Sequence, residues 1–325
     1  MKRIISLTLI LTAISALGFA QILDTEKTLK TQIVDSTEGW KTGGIASITM
    51  SQTSLTNWSS GGQNSMSMNG LLVTFARYKK GKNQWDNGLN IGYGLQKQGE
   101  VKSYMKTDDK IEISSKYGRQ AVGNFFYSGL VTAKTQFSAG YNYPNDSVKI
   151  SNWMAPAYLT VAIGMDYKPN TYLSAFLAPV TGRFTYVGDD DLANTGAFGV
   201  DPAEYDALGN MITPGKNLRE EFGGYFRLVY NKSDYKSEIL KNVAVVTKLD
   251  LFSNYLNNPE NIDVSWETLI GLKVNKYLTV NLTLHLMYDD DIKITEEDEA
   301  TGLTVEKGPN IQFKEILGVG IGYKW

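Results

Sequence analysis

The sequence has no cysteine and only one histidine, His285, among its 325 residues. The lack of cysteine excludes disulfide bonds, thiolate metal sites and a lipid anchor on cysteine. A single histidine excludes any metal site with two or more imidazole ligands. The formal net charge of −2 is too small for the strong field that attracts nucleic acid. We therefore expect no nucleic-acid partner and no cofactor.

Long apolar runs are also missing, apart from one at the amino terminus. Residues 1–20 place Lys2 and Arg3 before an apolar run, with Gly18 and Ala20 before the expected cleavage point. This pattern is typical of a secretory signal peptide. No other stretch approaches the roughly 20 apolar residues that a spanning helix needs. The sequence therefore predicts a secreted chain without transmembrane helices.

The closing residues alternate instead between apolar and small side chains. Because neighbouring side chains of a strand point to opposite faces, one face is continuously apolar and the other is nearly bare. Such a strand is typical of a barrel wall between lipid and a lumen. The terminal aromatic resembles the insertion signal that the barrel-assembly machinery of Gram-negative outer membranes reads. The residues of this predicted assembly signal are Leu317, Val319, Ile321, Tyr323 and Trp325.

Similar patterns predict twelve strands, which indicates an all-β fold, a transmembrane antiparallel up-and-down β-barrel. Pro179 inside one strand predicts a bulge. Short and long connections alternate, except at 59–63, which favours short periplasmic turns, long outer loops and two periplasmic termini. A large soluble β-sandwich does not explain that asymmetry. The predicted strands are 43–58, 64–78, 84–96, 110–117, 122–137, 155–167, 171–187, 217–231, 236–252, 262–274, 277–288 and 314–325.

Three segments follow from these patterns. Residues 1–20 form the signal peptide, residues 21–39 a polar periplasmic extension, and residues 40–325 the barrel. The extension has a weak helical period. It is either a plug folded into the lumen or a disordered leader.

Two aspartate triplets open predicted outer loops. Clustered carboxylates suit calcium or magnesium, but also a solvated rim or divalent ions that bridge lipopolysaccharide. Neither triplet has the glycine and glutamate spacing of an EF-hand loop, so these interpretations stay open. The weak metal candidates are Asp189, Asp190, Asp191, Asp289, Asp290 and Asp291.

Charged residues on polar strand faces are candidates to line the lumen. They would tune the selectivity of an open pore and pair with one another in a closed one. His285 also allows a hydrolase, but Met287 occupies the spacing at which outer-membrane phospholipases carry serine. We expect a hydrogen-bonded lumen histidine and no catalytic residue. The lumen candidates are Arg219, Glu221, Arg227, Glu267, Lys273 and His285.

Four stretches carry a family resemblance: Q-T-S-L-T-N-W-S-S-G-G-Q-N-S at 52–65, L-S-A-F-L-A-P-V-T-G-R-F-T-Y-V at 173–187, G-A-F-G-V-D-P at 196–202 and Y-D-D-D-I at 288–292. Together they resemble an uncharacterised family of Bacteroidota outer-membrane proteins known only as a domain of unknown function. The resemblance covers most of the mature chain. It implies an outer-membrane β-barrel and no particular activity or site residue.

These observations predict a non-enzymatic outer-membrane protein. It would be either a porin-like small-solute channel or a structural component of an envelope complex. Expected partners are outer-membrane lipid and lipopolysaccharide, the barrel-assembly machinery during insertion, and an envelope protein that docks on the long loop 188–216. The alternative is an outer-membrane enzyme that acts on lipid.

Overall fold

The computed structural model describes residues 38–55, 63–99, 103–143, 146–170, 172–232, 235–273, 279–297 and 304–324. The predicted signal peptide and nearly all of the extension 21–39 lie outside the described residues, as does Trp325. No helix in the described part of the chain is long and apolar enough to cross a membrane.

Twelve of the described strands form one closed antiparallel sheet, which confirms the predicted all-β barrel. The other six described strands pair into three small hairpins in the connections, β6–β7, β10–β11 and β16–β17. A short helix, α1, spans Asp190–Asn194. In chain order the strands are β1 Gly39–Thr53, β2 Ser65–Lys80, β3 Asn83–Gln98, β4 Met105–Gln120, β5 Phe125–Thr135, β6 Gly140–Tyr141, β7 Lys149–Ser151, β8 Ala157–Tyr167, β9 Leu173–Tyr186, β10 Glu204–Tyr205, β11 Met211–Thr213, β12 Leu218–Lys232, β13 Val243–Asn254, β14 Ile262–Lys273, β15 Thr279–Tyr288, β16 Lys293–Glu297, β17 Thr304–Pro309 and β18 Gln312–Lys324.

The first and last barrel strands pair with each other and close the ring. Ile45 lies opposite Lys324 and Ile48 opposite Ile321, while the other edge of β1 pairs with β2 along its whole length. This pairing covers residues 45–48 of β1, so neither β1 nor β18 remains an isolated edge strand. The pairing of the first and last predicted strands is therefore confirmed, with β1 ending at Thr53 rather than at residue 58.

Connections at the two ends of the barrel differ in length as the sequence indicated, except that 233–242 at the turn end is longer than 99–104 and 255–261 at the loop end. The turn end, where β1 begins and β18 ends, carries the connections 81–82, 121–124, 168–172, 233–242 and 274–278. The loop end carries 54–64, 99–104, 136–156, 187–217, 255–261 and 289–311. Because β1 ends early, the predicted exception at 59–63 becomes part of the longer loop 54–64.

Two further predicted strand boundaries were wrong by five or more residues. β13 begins at Val243 rather than at residue 236, because the Ser237 carbonyl accepts from the Leu240 and Lys241 amides and turns the chain. β4 begins at Met105 rather than at residue 110. In both places polar residues conceal the period of two, so pattern alone misplaces the boundary.

β8 shows the two faces of the barrel wall clearly. Its outward side chains are apolar and exposed, and Ile163 is 64% exposed. The alternate side chains point to the lumen, and two of them, Ala162 and Asp166, are fully buried. β18 continues this pattern as far as its side chains are described, because Leu317 and Val319 are exposed. The exposed residues of β8 are Leu159, Val161, Ile163, Met165 and Tyr167.

Pro179 lies at a bulge of β9, as predicted. The register of β9 shifts at this point against both of its neighbours, β8 and β12. Ala178 and Thr181, three residues apart, are therefore both buried toward the lumen. Beyond the bulge the lumen positions of β9 are odd-numbered and include Arg183.

An aromatic row crosses four neighbouring strands near the turn end. Trp40, Tyr78, Trp85 and Tyr117 occupy directly paired positions on β1, β2, β3 and β4. The ring centroids of Trp40 and Tyr78 lie 5.2 Å apart, and those of Trp40 and Trp85 5.7 Å apart. Aromatic rows of this kind line the interfacial boundaries of membrane barrels.

An apolar core lies above the barrel at the loop end. Leu192 and Ala193 of α1 pack with Ala155, Val187 and Val200, all of them buried. This core holds the loop 187–217 against the loop 136–156 and positions it beside the lumen.

Candidate functional site in the barrel lumen

Three layers of charged side chains occupy the lumen. We call them the turn-end layer, the middle layer and the loop-end layer, after their heights on the strands. The turn-end layer comprises Lys116, Asp166 and Lys168. The middle layer comprises Lys110, Glu112, Lys134, Arg227, Lys248, Asp250 and Glu267, and the loop-end layer comprises Arg183, Arg219, Glu221, Asp263, Asp289 and Asp291.

The turn-end layer is centred on the fully buried carboxylate of Asp166. It is paired with the Lys116 ammonium, and Lys168 Nζ lies 3.5 Å away from it. Ser174 donates a hydrogen bond of 2.7 Å to its other oxygen. Lys168 also donates to Gln84 across 3.0 Å. Both oxygens of the buried Asp166 carboxylate therefore have hydrogen-bonding or charged partners, as a carboxylate away from water requires.

Ion pairs of the middle layer cross the full width of the barrel. Lys110 of β4 contacts Glu112 at 2.8 Å and Glu267 of β14 at 3.4 Å. Six steps round the ring, through β13, β12, β9, β8 and β5, separate β14 from β4, so these strands form opposite walls. Lys248 of β13 contacts Glu112 at 3.6 Å and Glu267 at 3.5 Å. The lumen is therefore bridged at this height.

Arg227 and Asp250 form a bidentate pair within the same layer. The distances are 2.6 Å from Nε to Oδ1 and 3.0 Å from Nη2 to Oδ2. The Tyr225 hydroxyl donates to Oδ1 across 2.8 Å. Parallel hydrogen bonds of this kind fix both side chains in one geometry.

The loop-end layer is organised by two arginines that share Glu221. Arg183 donates to both oxygens of Glu221, at 2.7 and 2.8 Å, and also pairs with Asp263. Arg219 donates to Glu221 at 2.7 Å and pairs with Asp291. This layer therefore ties β9, β12 and β14 to the loop 289–311.

The loop 187–217 packs directly onto the loop-end layer. Gly199 has a left-handed φ of 79°, and a Cβ built there would collide with the Arg219 guanidinium and touch Asp291. Only glycine fits such a close approach without strain. The loop therefore lies over the side of the lumen formed by β12.

His285, the candidate base, lies on the lumen wall. Its Nε2 is 3.1 Å from Ser265 Oγ and 3.9 Å from Glu267 Oε1. A serine–histidine–acid triad needs the serine on one ring nitrogen and the acid on the other. Here the serine and the glutamate both approach Nε2, so the described residues around His285 do not have the geometry of a triad.

The first aspartate triplet organises the loops rather than one site. Asp189 caps α1 through the Leu192 amide and accepts from Asn152 at 2.7 Å. Burial would raise the pKa of the Asp189 carboxyl, but hydrogen bonds from Lys149, Asn152 and Leu192 outweigh it and hold that pKa below its usual range. Asp190 accepts from Asn217, and Asp191 is largely exposed.

The second triplet turns back toward the lumen. Carboxylate oxygens of Asp289, Asp290 and Asp263 lie within 4.8 Å of one another. Burial raises the pKa of the Asp289 carboxyl, against the lowering effect of Arg183. Because Arg183 already contacts Asp263 and Asp289, the protein itself supplies a cation at this cluster. Binding of a divalent ion stays a prediction.

The six lumen candidates from the sequence lie on three strands of one half of the ring. The side chains of Arg219, Glu221, Arg227, Glu267 and His285 all take part in the contacts above, while the side chain of Lys273 lies outside the described residues. Sequence reasoning missed Lys110, Lys116 and Lys134, which lie on strands that were predicted too short or without clear alternation. It also missed Arg183, whose face depends on the bulge at Pro179.

Residues 50–141 match the family model described as "Protein of unknown function (DUF3078)". No curated protein matches the chain. Among solved structures, the chain is similar to the translocator domain of the autotransporter NalP from Neisseria meningitidis, with 10% sequence identity and a TM-score of 0.39. That similarity covers 93% of this chain and 94% of the other. The match to a domain of unknown function agrees with the family resemblance over that segment and assigns no activity.

Proposed function

We propose that this protein is a non-enzymatic outer-membrane β-barrel whose lumen is closed by its own ion pairs, and that it serves as a structural component of an envelope complex. The observation that carries the proposal is the contact between Lys110 and Glu267 on opposite walls of the ring. An open channel would keep these charges apart and hydrated.

Two lumen cavities support the closed state. They have volumes of about 130 Å³ and 180 Å³. Glu112, Arg227, Lys248 and Glu267 line both cavities and therefore form the partition between them. The middle layer is thus a constriction made of paired side chains, which a passing solute would have to break.

The outer surface supports a position in the outer membrane. Apolar side chains cover the outward face, and the aromatic row near the turn end suits the boundary between lipid and water. We assign the turn end to the periplasm, which puts the amino-terminal extension there. Lipid and lipopolysaccharide are then the surrounding partners, and the barrel-assembly machinery inserts the chain. The family resemblance adds the expectation of a Bacteroidota source.

The hairpin β10–β11 is the surface that supports partner docking. It projects from the loop 187–217 and exposes Tyr205, Leu208, Met211 and Ile212, with Leu208 88% exposed. Apolar side chains grouped at a loop tip are typical of protein-interaction sites. We expect an envelope protein to co-purify with the native barrel in mild detergent and not with a chain lacking residues 204–213. Equal recovery from both chains would contradict docking at this hairpin.

Conductance tests the closed lumen. We expect no steady conductance in planar bilayers from the mature chain or from a chain lacking residues 21–37. The double variant Lys110→Ser with Glu267→Ser should conduct, because it removes the direct bridge between β4 and β14 and leaves only the longer pair of Lys248 with Glu112. Lys241→Ser with Glu238→Ser removes an exposed ion pair of the turn 233–242 and is the matched control.

Two outcomes would overturn the closed lumen. Steady conductance by the mature chain would favour the small-solute channel. Conductance only after removal of residues 21–37 would assign closure to the extension rather than to the ion pairs.

A lipid-acting hydrolase is the second candidate, favoured by the hydrogen bond between Ser265 and His285. It is the weaker proposal because the pair faces the lumen and Glu267 approaches the same ring nitrogen as the serine. Lipid hydrolysis by the wild type that disappears in both Ser265→Ala and His285→Ala would establish it. An unchanged lipid profile in the His285→Ala strain would exclude it.

A further inference from the structure

The larger lumen cavity, of about 180 Å³, has one wall that differs from the others. This wall is formed by Thr132 and Lys134 of β5 and by Tyr158 and Thr160 of β8. Thr132 pairs directly with Thr160, and Lys134 with Tyr158. The four side chains therefore form a compact square, which we call the β5–β8 wall.

The polar groups of the β5–β8 wall make no hydrogen bond and no ion pair among the described residues. The Thr132 hydroxyl is fully buried and makes no hydrogen bond. Glu112 lies opposite Lys134 in the strand register, but its oxygens contact Lys110 at 2.8 Å and Lys248 at 3.6 Å instead. A buried polar group without a hydrogen-bond partner is destabilising, and a charged group without an ion pair is more so.

The carboxylates on the other walls of this cavity already have cationic partners. Glu112 and Glu267 share Lys110 and Lys248. Asp250 is held by Arg227, and Asp263 by Arg183. The middle layer has four basic side chains, Lys110, Lys134, Arg227 and Lys248, against three acidic ones, Glu112, Asp250 and Glu267. Lys134 is the basic side chain of this layer that makes no ion pair among the described residues, while the cavity lining as a whole holds four basic and four acidic side chains.

The groups on the β5–β8 wall select the charge and size of a ligand. An ammonium and three hydroxyls can all donate hydrogen bonds to one acceptor. One ammonium without an ion pair favours a ligand with one negative charge. The cavity volume corresponds to roughly ten water-sized probes, enough for a few heavy atoms. We propose that the β5–β8 wall binds a small monovalent carboxylate of about acetate to propionate size.

This site goes beyond the closed lumen and does not depend on whether the barrel conducts. The carboxylate accepts from Lys134 and from the hydroxyls of Thr132, Thr160 and Tyr158. Its apolar end lies toward Phe252 and Met287, which line the same cavity. Binding neutralises Lys134 and satisfies the Thr132 hydroxyl.

Thermal stability of the detergent-solubilised full chain tests the proposal. Its unfolding midpoint, read by heat-modifiable gel migration, is titrated with sodium acetate, with sodium propionate and with sodium chloride at one fixed ionic strength. Glycerol serves as the neutral ligand. We expect a saturable rise with both carboxylates and a smaller or absent rise with chloride and glycerol.

Variants separate the site from general salt effects. Lys134→Met should weaken the apparent acetate affinity at least tenfold, and so should Thr132→Val, which keeps the side-chain shape. Lys241→Met removes an exposed lysine outside the lumen and should respond as the wild type does. Thr132→Val keeps the test valid if Lys134→Met fails to fold.

Three results would overturn the proposal. They are a wild-type midpoint that carboxylates do not raise, an equal rise with glycerol, and an unchanged acetate response in Thr132→Val or in Lys134→Met. A response to chloride equal to that to acetate would also overturn it, since the site would then be a general anion site rather than a carboxylate site.

Discussion

Single buried charges determine how tightly the lumen is held together. Asp166 shows this best, because it is fully buried and is the carboxylate on which Lys116 and Lys168 converge. Removing one partner of a buried pair leaves the other charge uncompensated and usually costs about 3–5 kcal/mol.

Asp166→Ala should therefore lower the stability of the barrel by about 3 kcal/mol or more. The measurement is the midpoint of denaturant-induced unfolding in detergent micelles. Asp191→Ala is the control, because the Asp191 side chain is 90% exposed and its contact with Lys149 is long. Equal midpoints for the two variants would show that the buried layer does not contribute as its contacts indicate.

Gly199 couples one loop to the lumen through its backbone. Its φ of 79° alone would cost a side chain about 1–2 kcal/mol, and a Cβ would also displace the Arg219 guanidinium. Gly199→Ala should make the loop 187–217 more sensitive to limited proteolysis.

Gly209→Ala is a control that introduces backbone strain without a steric collision. Gly209 has a similar φ of 82°, but a Cβ there would meet nothing within 4 Å. We expect the protease sensitivity of Gly209→Ala to lie between those of the wild type and of Gly199→Ala. If Gly199→Ala is no more sensitive than Gly209→Ala, the contact between the loop and Arg219 has no structural importance.

At the scale of elements, the bulge of β9 decides which face Arg183 occupies. A one-residue change of register moves every later side chain of a strand to the other face. Without the extra residue at Pro179, Arg183 would point to the lipid and lose its pairs with Glu221 and Asp263.

Deletion of Pro179 should therefore abolish the folded, heat-modifiable form of the protein. Pro179→Ala keeps the residue count and should still fold. The comparison is made by gel migration of unboiled samples after refolding into micelles. A folded deletion variant would mean that the bulge can form elsewhere and that Arg183 does not depend on Pro179.

The sequence predicted the elements better than their ends. Period-two alternation located β8, β14 and β15, because apolar residues face outward there at nearly every second position. The start of β13 was misplaced, since residues 236–242 carry the neighbouring apolar pair Ile239 and Leu240 among polar side chains and show no alternation. The bulge at Pro179 was predictable because proline lacks the ladder donor.

Pairing across the lumen was not predictable at the scale of the whole molecule. Lys110 and Glu267 are far apart in the chain and meet only because ring closure puts β4 opposite β14. The sequence placed Glu267 on a lumen face but gave no sign of its partner. The open or closed state of the lumen could therefore be inferred only from the closed ring and the positions of its side chains.

We propose that ion pairs between opposite walls close this barrel. The most direct test is solute uptake by liposomes that contain Lys110→Glu, Glu267→Lys or both substitutions together. Each single variant places like charges across the lumen and should admit small sugars. The double variant restores this pair in reverse and should be less permeable than either single variant, although the contacts of these positions with Glu112 and Lys248 become like-charged. Uptake by the wild type, or equal uptake by the single and double variants, would contradict the claim.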